Sequence, residues 1–267
     1  MLNENDIITA ADTLYRAEKD RKQMPALTRQ FPDMTMNDAY AIQSRWVGKK
    51  MEDGESVIGY KIGLTSRAMQ MAMNIDQPDY GVLLDSMNVS DGSTLKASDY
   101  LDPRMEVELA FILKDRLEGE NVSIIDVLNA TDYVMPAMEL IAARIQRTDP
   151  ESGYTRKIYD TISDNAANAG IILGGRPIKP NEMDLRWAGA LLYQNSQIEE
   201  TGLAAGVLGH PANGISWVCK RFAPHGVALQ PGQIILAGSF TRPVPVRAGD
   251  TFHADYGPLG SVSVSFE

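Results

Sequence analysis

Cysteine is almost missing from this chain. Cys219 stands alone among 267 residues, so no disulfide can form within the chain, and a reducing compartment is expected. Its neighbours Trp217, Val218 and Phe222 give it to an apolar helix face, which makes it a packing residue rather than a nucleophile. Histidine is nearly as scarce. His210, His225 and His253 lack metal-ligand spacing, and the lack of a G-x-S-x-G turn and of a Cys/His pair argues against a hydrolytic triad. No apolar run approaches the roughly 18 residues needed to span a bilayer. The first residues, Met1-Leu2-Asn3-Glu4-Asn5-Asp6, are polar and acidic, unlike a secretory leader, so a cytoplasmic protein is expected. There is no G-x-G-x-x-G after an early strand and no G-x-x-x-x-G-K-[ST], which leaves nucleotide binding without support. Basic charge is also short: 25 Lys and Arg face 35 Asp and Glu, for a net charge of −10. That balance argues against nucleic acid and against an anionic membrane surface, yet it permits an acidic small molecule held by local Arg and Lys or by a cation.

What is present is a soluble globular composition, 44% hydrophobic and 22% charged, long enough for one large domain or one domain with an appendage. Residues 4–53 read as helical, with Ile7, Ile8, Ala11, Leu14 and Tyr15 at helical spacing. After a turn at Phe31-Pro32-Asp33, Thr35 with Asp38 forms a capping-box pattern for a second helix that carries Ala39, Ile42, Trp46 and Val47 and ends near Gly54. From Val57 the pattern changes to short strands, expected near 57–62, 105–113, 133–145, 168–174, 189–194, 197–201, 233–238 and 251–266, with Asn195-Ser196 as a hairpin turn. Helices are expected at 66–73, 123–131 and 210–223. The expected fold class is α+β, with an N-terminal helical region over 1–55 and a β-rich catalytic domain over 56–267.

Within the run Pro103–Leu113, strand alternation puts Glu106 and Glu108 side by side on one face and Met105, Val107 and Leu109 on the other. A third acid, Glu139, interrupts the apolar run 133–141. For an isolated E-x-E the plain reading is the solvent face of an edge strand. Three carboxylates in apolar strands, with no Cys or His nearby, instead suit a hard divalent cation, Mg²⁺ or Mn²⁺, rather than Zn²⁺.

Lys61, in Gly59-Tyr60-Lys61-Ile62-Gly63, is either a lysine snorkelling from a strand end or a buried amine whose pKa burial would lower into the range of acid/base work. Asp79 follows Asp76-Gln77-Pro78 in what reads as a rigid turn. The polar segment Asp160-Thr161-Ile162-Ser163-Asp164-Asn165-Ala166 offers substrate donors, among them Ser163, or ordinary turn and cap chemistry. Arg242, after Gly238-Ser239-Phe240-Thr241, could read a carboxylate or simply face solvent.

The ordered set Lys61-x-Gly63-Leu64-Thr65, Asp76-Gln77-Pro78-Asp79-Tyr80-Gly81, Pro103-Arg104-Met105-Glu106-x-Glu108, Pro136-Ala137-x-Glu139 and Asp160-Thr161-x-x-Asp164-Asn165-Ala166 resembles the hydratase/decarboxylase family of meta-cleavage pathways. Gly209-His210-Pro211 and Ile234-Ile235-Leu236-x-Gly238 extend the likeness over nearly the whole chain. Asp149-Pro150-Glu151, Arg156-Lys157 and Ser239-Phe240-Thr241-Arg242-Pro243 look like the subgroup acting on a seven-carbon dicarboxylate. The resemblance implies a mixed β-roll like that of fumarylacetoacetate hydrolase. It also implies an Mg²⁺ or Mn²⁺ site at Glu106, Glu108 and Glu139, with Lys61 and Asp79 facing a 2-hydroxy-2,4-dienoate as an acid/base pair. Arg242 or Arg156 would take the distal carboxylate, and homo-oligomers, pentamers or decamers, are implied as well. Alternatives within the family are a 2-oxo-3-hexenedioate (4-oxalocrotonate) decarboxylase and a 2-hydroxypenta-2,4-dienoate hydratase. A non-catalytic partner subunit of such a complex is the alternative of another class.

Overall fold

The computed structural model describes residues 1–67, 70–71 and 75–267. The chain opens with α1 (Glu4–Lys19), a short α2 (Leu27–Gln30) and α3 (Met36–Glu52). The Thr35 capping box is present. The Thr35 hydroxyl accepts from the Asp38 N–H at 3.3 Å, and the Asp38 carboxylate accepts from the Thr35 N–H at 2.9 Å. These caps satisfy backbone donors that helix geometry leaves without partners, so α3 starts where its apolar stripe starts. That stripe, Ala39, Ile42 and Trp46, packs on Ala11 and Leu14 of α1 and on Leu84, Met87, Ile145 and Ile162 from the β region. The Arg144 guanidinium lies 4.9 Å from the Trp46 ring centre and adds a cation–π contact to this seam.

The remainder is built from β1 (Val57–Gly63), β2 (Asp79–Leu84), β3 (Asn88–Ser90), β4 (Thr94–Leu95), β5 (Arg104–Leu113), β6 (Thr131–Ile141), β7 (Asn168–Leu173), β8 (Gly189–Gln194), β9 (Gln197–Leu203), β10 (Ile234–Leu236), β11 (Val244–Pro245), β12 (Thr251–Asp255) and β13 (Ser261–Phe266). Among the described residues, helices α4 (Ile124–Ala130), α5 (Ile158–Ser163) and α6 (Ala212–Phe222) interrupt them. One sheet has the order β2-β1-β10-β5-β6-β7-β3 with β11 beside β5, and the other has the order β4-β13-β12-β8-β9. β1 with β10 and β3 with β7 run parallel inside an otherwise antiparallel sheet, which gives the expected mixed α+β architecture.

Alternation along β5 sorts its side chains as expected. Met105, Val107, Leu109 and Phe111 join Phe252, Ala254, Val262 and Val264 of the second sheet in the main core. The opposite face carries Glu106 and Glu108 and then continues as Ala110, which packs with Ala137, Ile171, Leu236 and Leu83. One face of the strand thus anchors the sheet-on-sheet packing, and the other is left for a site.

Several elements differ from expectation. The stretch 251–266 is two strands, β12 and β13, paired antiparallel and joined by a turn at Gly257–Leu259. The strand expected to 145 ends at Ile141, and strands β2, β3, β4 and β11 and helix α5 were not expected. These strands have two to six residues beside Pro, Asn or Asp, too short for a period to declare itself. Residues 68, 69, 72 and 73 of the helix expected over 66–73 lie outside the described residues. Among the described residues, no helix is long and apolar enough to cross a membrane.

The parallel pairing of β1 with β10 depends on Gly59, where a Cβ would meet the Ile234 carbonyl oxygen at 1.8 Å. Because that obstacle is backbone, the strands must separate to admit a methyl group. Gly59→Ala is expected to destabilise the protein by about 3 kcal/mol, read as a lowered urea midpoint at unchanged slope. An unchanged midpoint would refute the close approach.

Candidate active site

The register of β5 and β6 pairs Glu106 with Glu139 directly and Glu108 with Ala137. Pleating then puts all three carboxylates on one face, two of them directly opposite each other, an arrangement that costs energy for like charges. Glu108 and Glu139 are 1% exposed, and Glu106 keeps more access to the cavity. The Glu108 carboxylate accepts from the Gly238 N–H at 2.8 Å, and Glu139 accepts from the Asn168 side-chain amide at 2.7 Å. From the turn after β12, the Tyr256 hydroxyl lies 2.9 Å from the Glu108 carbonyl and 2.6 Å from that of Ala137, tying the two strands together at the acids.

Lys61 reaches the same place from β1, its ammonium 3.2 Å from Glu139 Oε1. β10 and β5 lie between β1 and β6, a span of about 14 Å in a flat sheet, so the ion pair needs two long side chains and a curled sheet. Asp79 begins β2 opposite Gly63 of β1. It is strand rather than the expected turn, because Pro78 ends the irregular stretch and the next residue already pairs. Both Asp79 oxygens are buried without a hydrogen-bond partner. A Cβ on Gly63 would fall 2.2 Å from Asp79 Oδ1 and 3.4 Å from Lys61 Nζ, so the missing side chain leaves room where the two functional groups face each other.

These groups lie in the wall of one cavity of about 560 Å³. It also takes in Thr65, Arg147, Arg156, Thr161, Ser239 and Arg242. Arg156 is among the lining residues. Arg242 is there too, but its side chain is 80% exposed and its guanidinium is paired with Glu200. Ser163 is not among the lining residues, and its hydroxyl donates to the Tyr159 carbonyl at 2.8 Å. Two positions along a helix turn a side chain to the opposite side, so Thr161 of α5 faces the cavity, with its hydroxyl unpartnered. The rest of that polar segment ties the scaffold together. Asp160 accepts from Thr28 N–H at 2.9 Å, Asp164 takes the Arg144 backbone N–H at 2.8 Å and pairs with its guanidinium, and the Asn165 side chain pairs with both the N–H and the C=O of Val82. Thr161 lay in the polar segment and its motif with nothing to choose it over Ser163, and Asn168, Tyr256 and Arg147 carried no sequence signal beyond their type, since each acts through a register or a turn formed elsewhere.

Burial comes first in the electrostatics of the acids. It pushes Glu106 up to about 8, with the Glu139 charge adding, and it raises Glu108 well above the ordinary range, with Glu139 and Glu106 adding. Burial also raises Asp79, against the opposing pull of Lys61. Lys61 departs from expectation. Burial alone would lower its pKa, but Glu139, Asp79, Glu106 and Glu108 surround it and hold it raised in the chain by itself. Among the described residues, no three Asp, Glu, His or Cys side chains are drawn together as a ready-made cation cage. The donor chemistry nonetheless fits a hard divalent ion: three carboxylates and no soft ligand in one wall, with like charges that a cation would relieve.

No family model matches the chain. Its overall likeness to solved structures is that of the fumarylacetoacetate hydrolase type of β-roll. A putative fumarylacetoacetate hydrolase family protein from Yersinia pestis CO92 superposes with a TM-score of 0.60 at 17% identity, covering 78% of this chain and 92% of that one. A crystal structure of 4-oxalocrotonate decarboxylase from Pseudomonas putida G7, complexed with magnesium and adipate, superposes with a TM-score of 0.94 at 32% identity over 100% of this chain and 99% of that one. The 2-oxo-hept-4-ene-1,7-dioate hydratase of Escherichia coli is 56% identical over 266 residues, 100% of both chains. The chain belongs to the hydratase/decarboxylase family of meta-cleavage pathways.

With no cation bound, the folded protein holds protons on Glu106 and Glu108 that the unfolded chain, titrating near the ordinary 4.5, has already released. Between about 4.5 and about 8 the native state therefore binds more protons, and stability must fall as pH rises through that window. The melting temperature in EDTA is expected to drop from about pH 5 to about pH 8, with a shallower slope in Glu106→Gln. Identical slopes in the two proteins would remove the charge crowding.

Proposed function

We propose that the protein is a divalent-metal-dependent hydro-lyase that converts 2-oxo-hept-4-ene-1,7-dioate into 4-hydroxy-2-oxoheptane-1,7-dioate in the breakdown of homoprotocatechuate. The carrying observation is the buried set of Lys61, Asp79 and three glutamates in one cavity, in a chain 56% identical from end to end to a hydratase of that name. The substrate reacts as its dienol, 2-hydroxyhepta-2,4-diene-1,7-dioate. A proton added at C5 and one lost from the 2-hydroxyl give the α,β-unsaturated 2-oxo acid. Water then adds at C4 and a proton at C3, for a net gain of one water.

Glu106, Glu108 and Glu139 would hold Mg²⁺, or Mn²⁺ in its place, and the ion when bound supplies Lewis-acid polarisation of the 2-oxo acid end. Lys61 keeps its positive charge beside the carboxylates and stabilises negative charge developing on the 2-oxygen. Asp79, raised by burial and free of hydrogen-bond partners, carries the proton to carbon. A cytoplasmic homo-oligomer, pentameric or decameric, belongs to the same proposal and is read by light scattering. The second reading, decarboxylation of 2-oxo-hex-3-ene-1,6-dioate, is favoured by the close superposition on the decarboxylase structure.

The deciding assay follows loss of dienol absorbance with Mg²⁺ and weighs the product. A gain of one water is expected, and loss of CO₂ would install the second reading. Lys61→Met and Asp79→Asn should each lower kcat by about 10²- to 10⁴-fold while still binding Mg²⁺. Glu106→Gln should lose Mg²⁺ binding by calorimetry together with turnover, and near-normal values in it would remove the cation site.

A further inference from the structure

We propose that Arg147 and Arg156, set across a hairpin at the wall of the cavity, form the receptor for the substrate's distal carboxylate and make the site selective for dicarboxylates. The inference deepens the function proposed above and rests on it for the identity of the reacting end alone. Beyond β6 the chain runs out and back through residues 144–157. Thr148 bridges Thr155, the Arg156 N–H donates to the Arg147 carbonyl at 3.0 Å, and the Gly153 N–H closes the turn on the Asp149 carbonyl at 2.8 Å. The two arginines are therefore cross-strand neighbours, and both line the cavity. Like charges so placed repel, and a fold keeps them at a cost unless an anion joins them.

The hairpin does not supply that anion. Asp102 pairs with Arg147 Nε and lies 3.9 Å from Arg104, so one carboxylate serves two guanidiniums. Arg147 Nη2 and Arg104 Nε are both buried without a partner. The hydrogen bond from the Arg156 guanidinium goes to a backbone carbonyl, that of Ile145, at 3.4 Å. The cavity is thus bipolar. Around Lys61 it gathers Glu106, Glu108, Glu139 and Asp79, and it also takes in the guanidiniums of Arg147 and Arg156. The two ends are within electrostatic reach, because Arg147 acts on Glu106 and Arg156 acts on Asp79. A linear diacid with its 2-oxo acid end toward the glutamates would bring its other carboxylate to the unpartnered guanidinium donors, whose planar fork suits two parallel hydrogen bonds. Arg242, exposed and paired with Glu200, is less suited to the task.

The test compares two unreactive ligands that differ in the distal group alone, adipate and hexanoate, binding to the Mg²⁺-loaded protein by calorimetry. The unaltered protein is expected to prefer adipate by at least about tenfold. Arg147→Met and Arg156→Met should each weaken adipate by about 10- to 100-fold and hexanoate by less than about twofold. Where a methionine variant fails to fold, the lysine variant at that position is read by the same criterion, loss of the adipate preference. Equal binding of both ligands by the unaltered protein would overturn the proposal, and so would a preference kept in the variants. Equal weakening of both ligands would also overturn it, assigning the arginines to the glutamate end. Because binding is read without turnover, failure of the hydratase reading in the dienol assay leaves this result standing by itself.

Discussion

The antiparallel register of β5 and β6 is the constraint on which the site depends. It sets Glu106 against Glu139 and leaves Glu108 one step along the same face. A slip of one residue would send these carboxylates into the main core and bring Met105, Val107 and Met138 to the cavity. The register is therefore secured from the apolar side, where Met105, Val107, Leu109 and Phe111 interdigitate with the second sheet. It is secured again at the site itself, where the Tyr256 hydroxyl spans the Glu108 and Ala137 carbonyls. Hydrophobic packing on one face thus holds together on the other a charge arrangement that would not assemble by itself.

The curl of the large sheet adds the remaining groups. It brings β1 and β2 over the glutamates, so that Lys61 pairs with Glu139 and Asp79 stands beside them. Burial makes each charge costly, and the groups balance one another only in part. Acids are pushed up, the lysine is held charged, and Asp79 has no hydrogen-bond partner. A pocket with its electrostatics so unresolved is organised for ligands, here a cation and an anion together.

Support for this arrangement comes from residues that touch no reacting atom. Asn165, Ala166 and Ala167 take left-handed backbone angles in succession, a conformation that costs L-residues energy. They are kept there by the Asn165 side chain on Val82, by Ala142 N–H on the Ala167 carbonyl and by the buried Arg144–Asp164 pair. The turn they make lines the cavity and meets β2, where a Cβ at Gly81 would lie 2.6 Å from the Asn165 carbonyl oxygen. Part of the apolar cluster under the N-terminal helices, Leu84 and Ile162, closes the same region from below.

Much of this protein is decided by local pattern. Period and caps define α1, α3 and α4, period defines α6, alternation defines β5 and its two faces, and the absence of cysteine and histidine near the acids selects oxygen chemistry. Ordered motifs placed the chain in its family. What local pattern could not decide is whatever depends on contacts distant in sequence. Asp79 looked like a turn because the pairing with Gly63 that makes it strand is not encoded beside it. Ser163 and Thr161 were indistinguishable until a short helix turned one inward and the other back on its own carbonyl. The charge of Lys61 could not be read from its apolar neighbours, because the four carboxylates that hold it protonated arrive from three other strands. Sequence determines which groups are available and which face each takes along its own element. Only the tertiary structure sets the distances between them, and electrostatic energies depend on those distances.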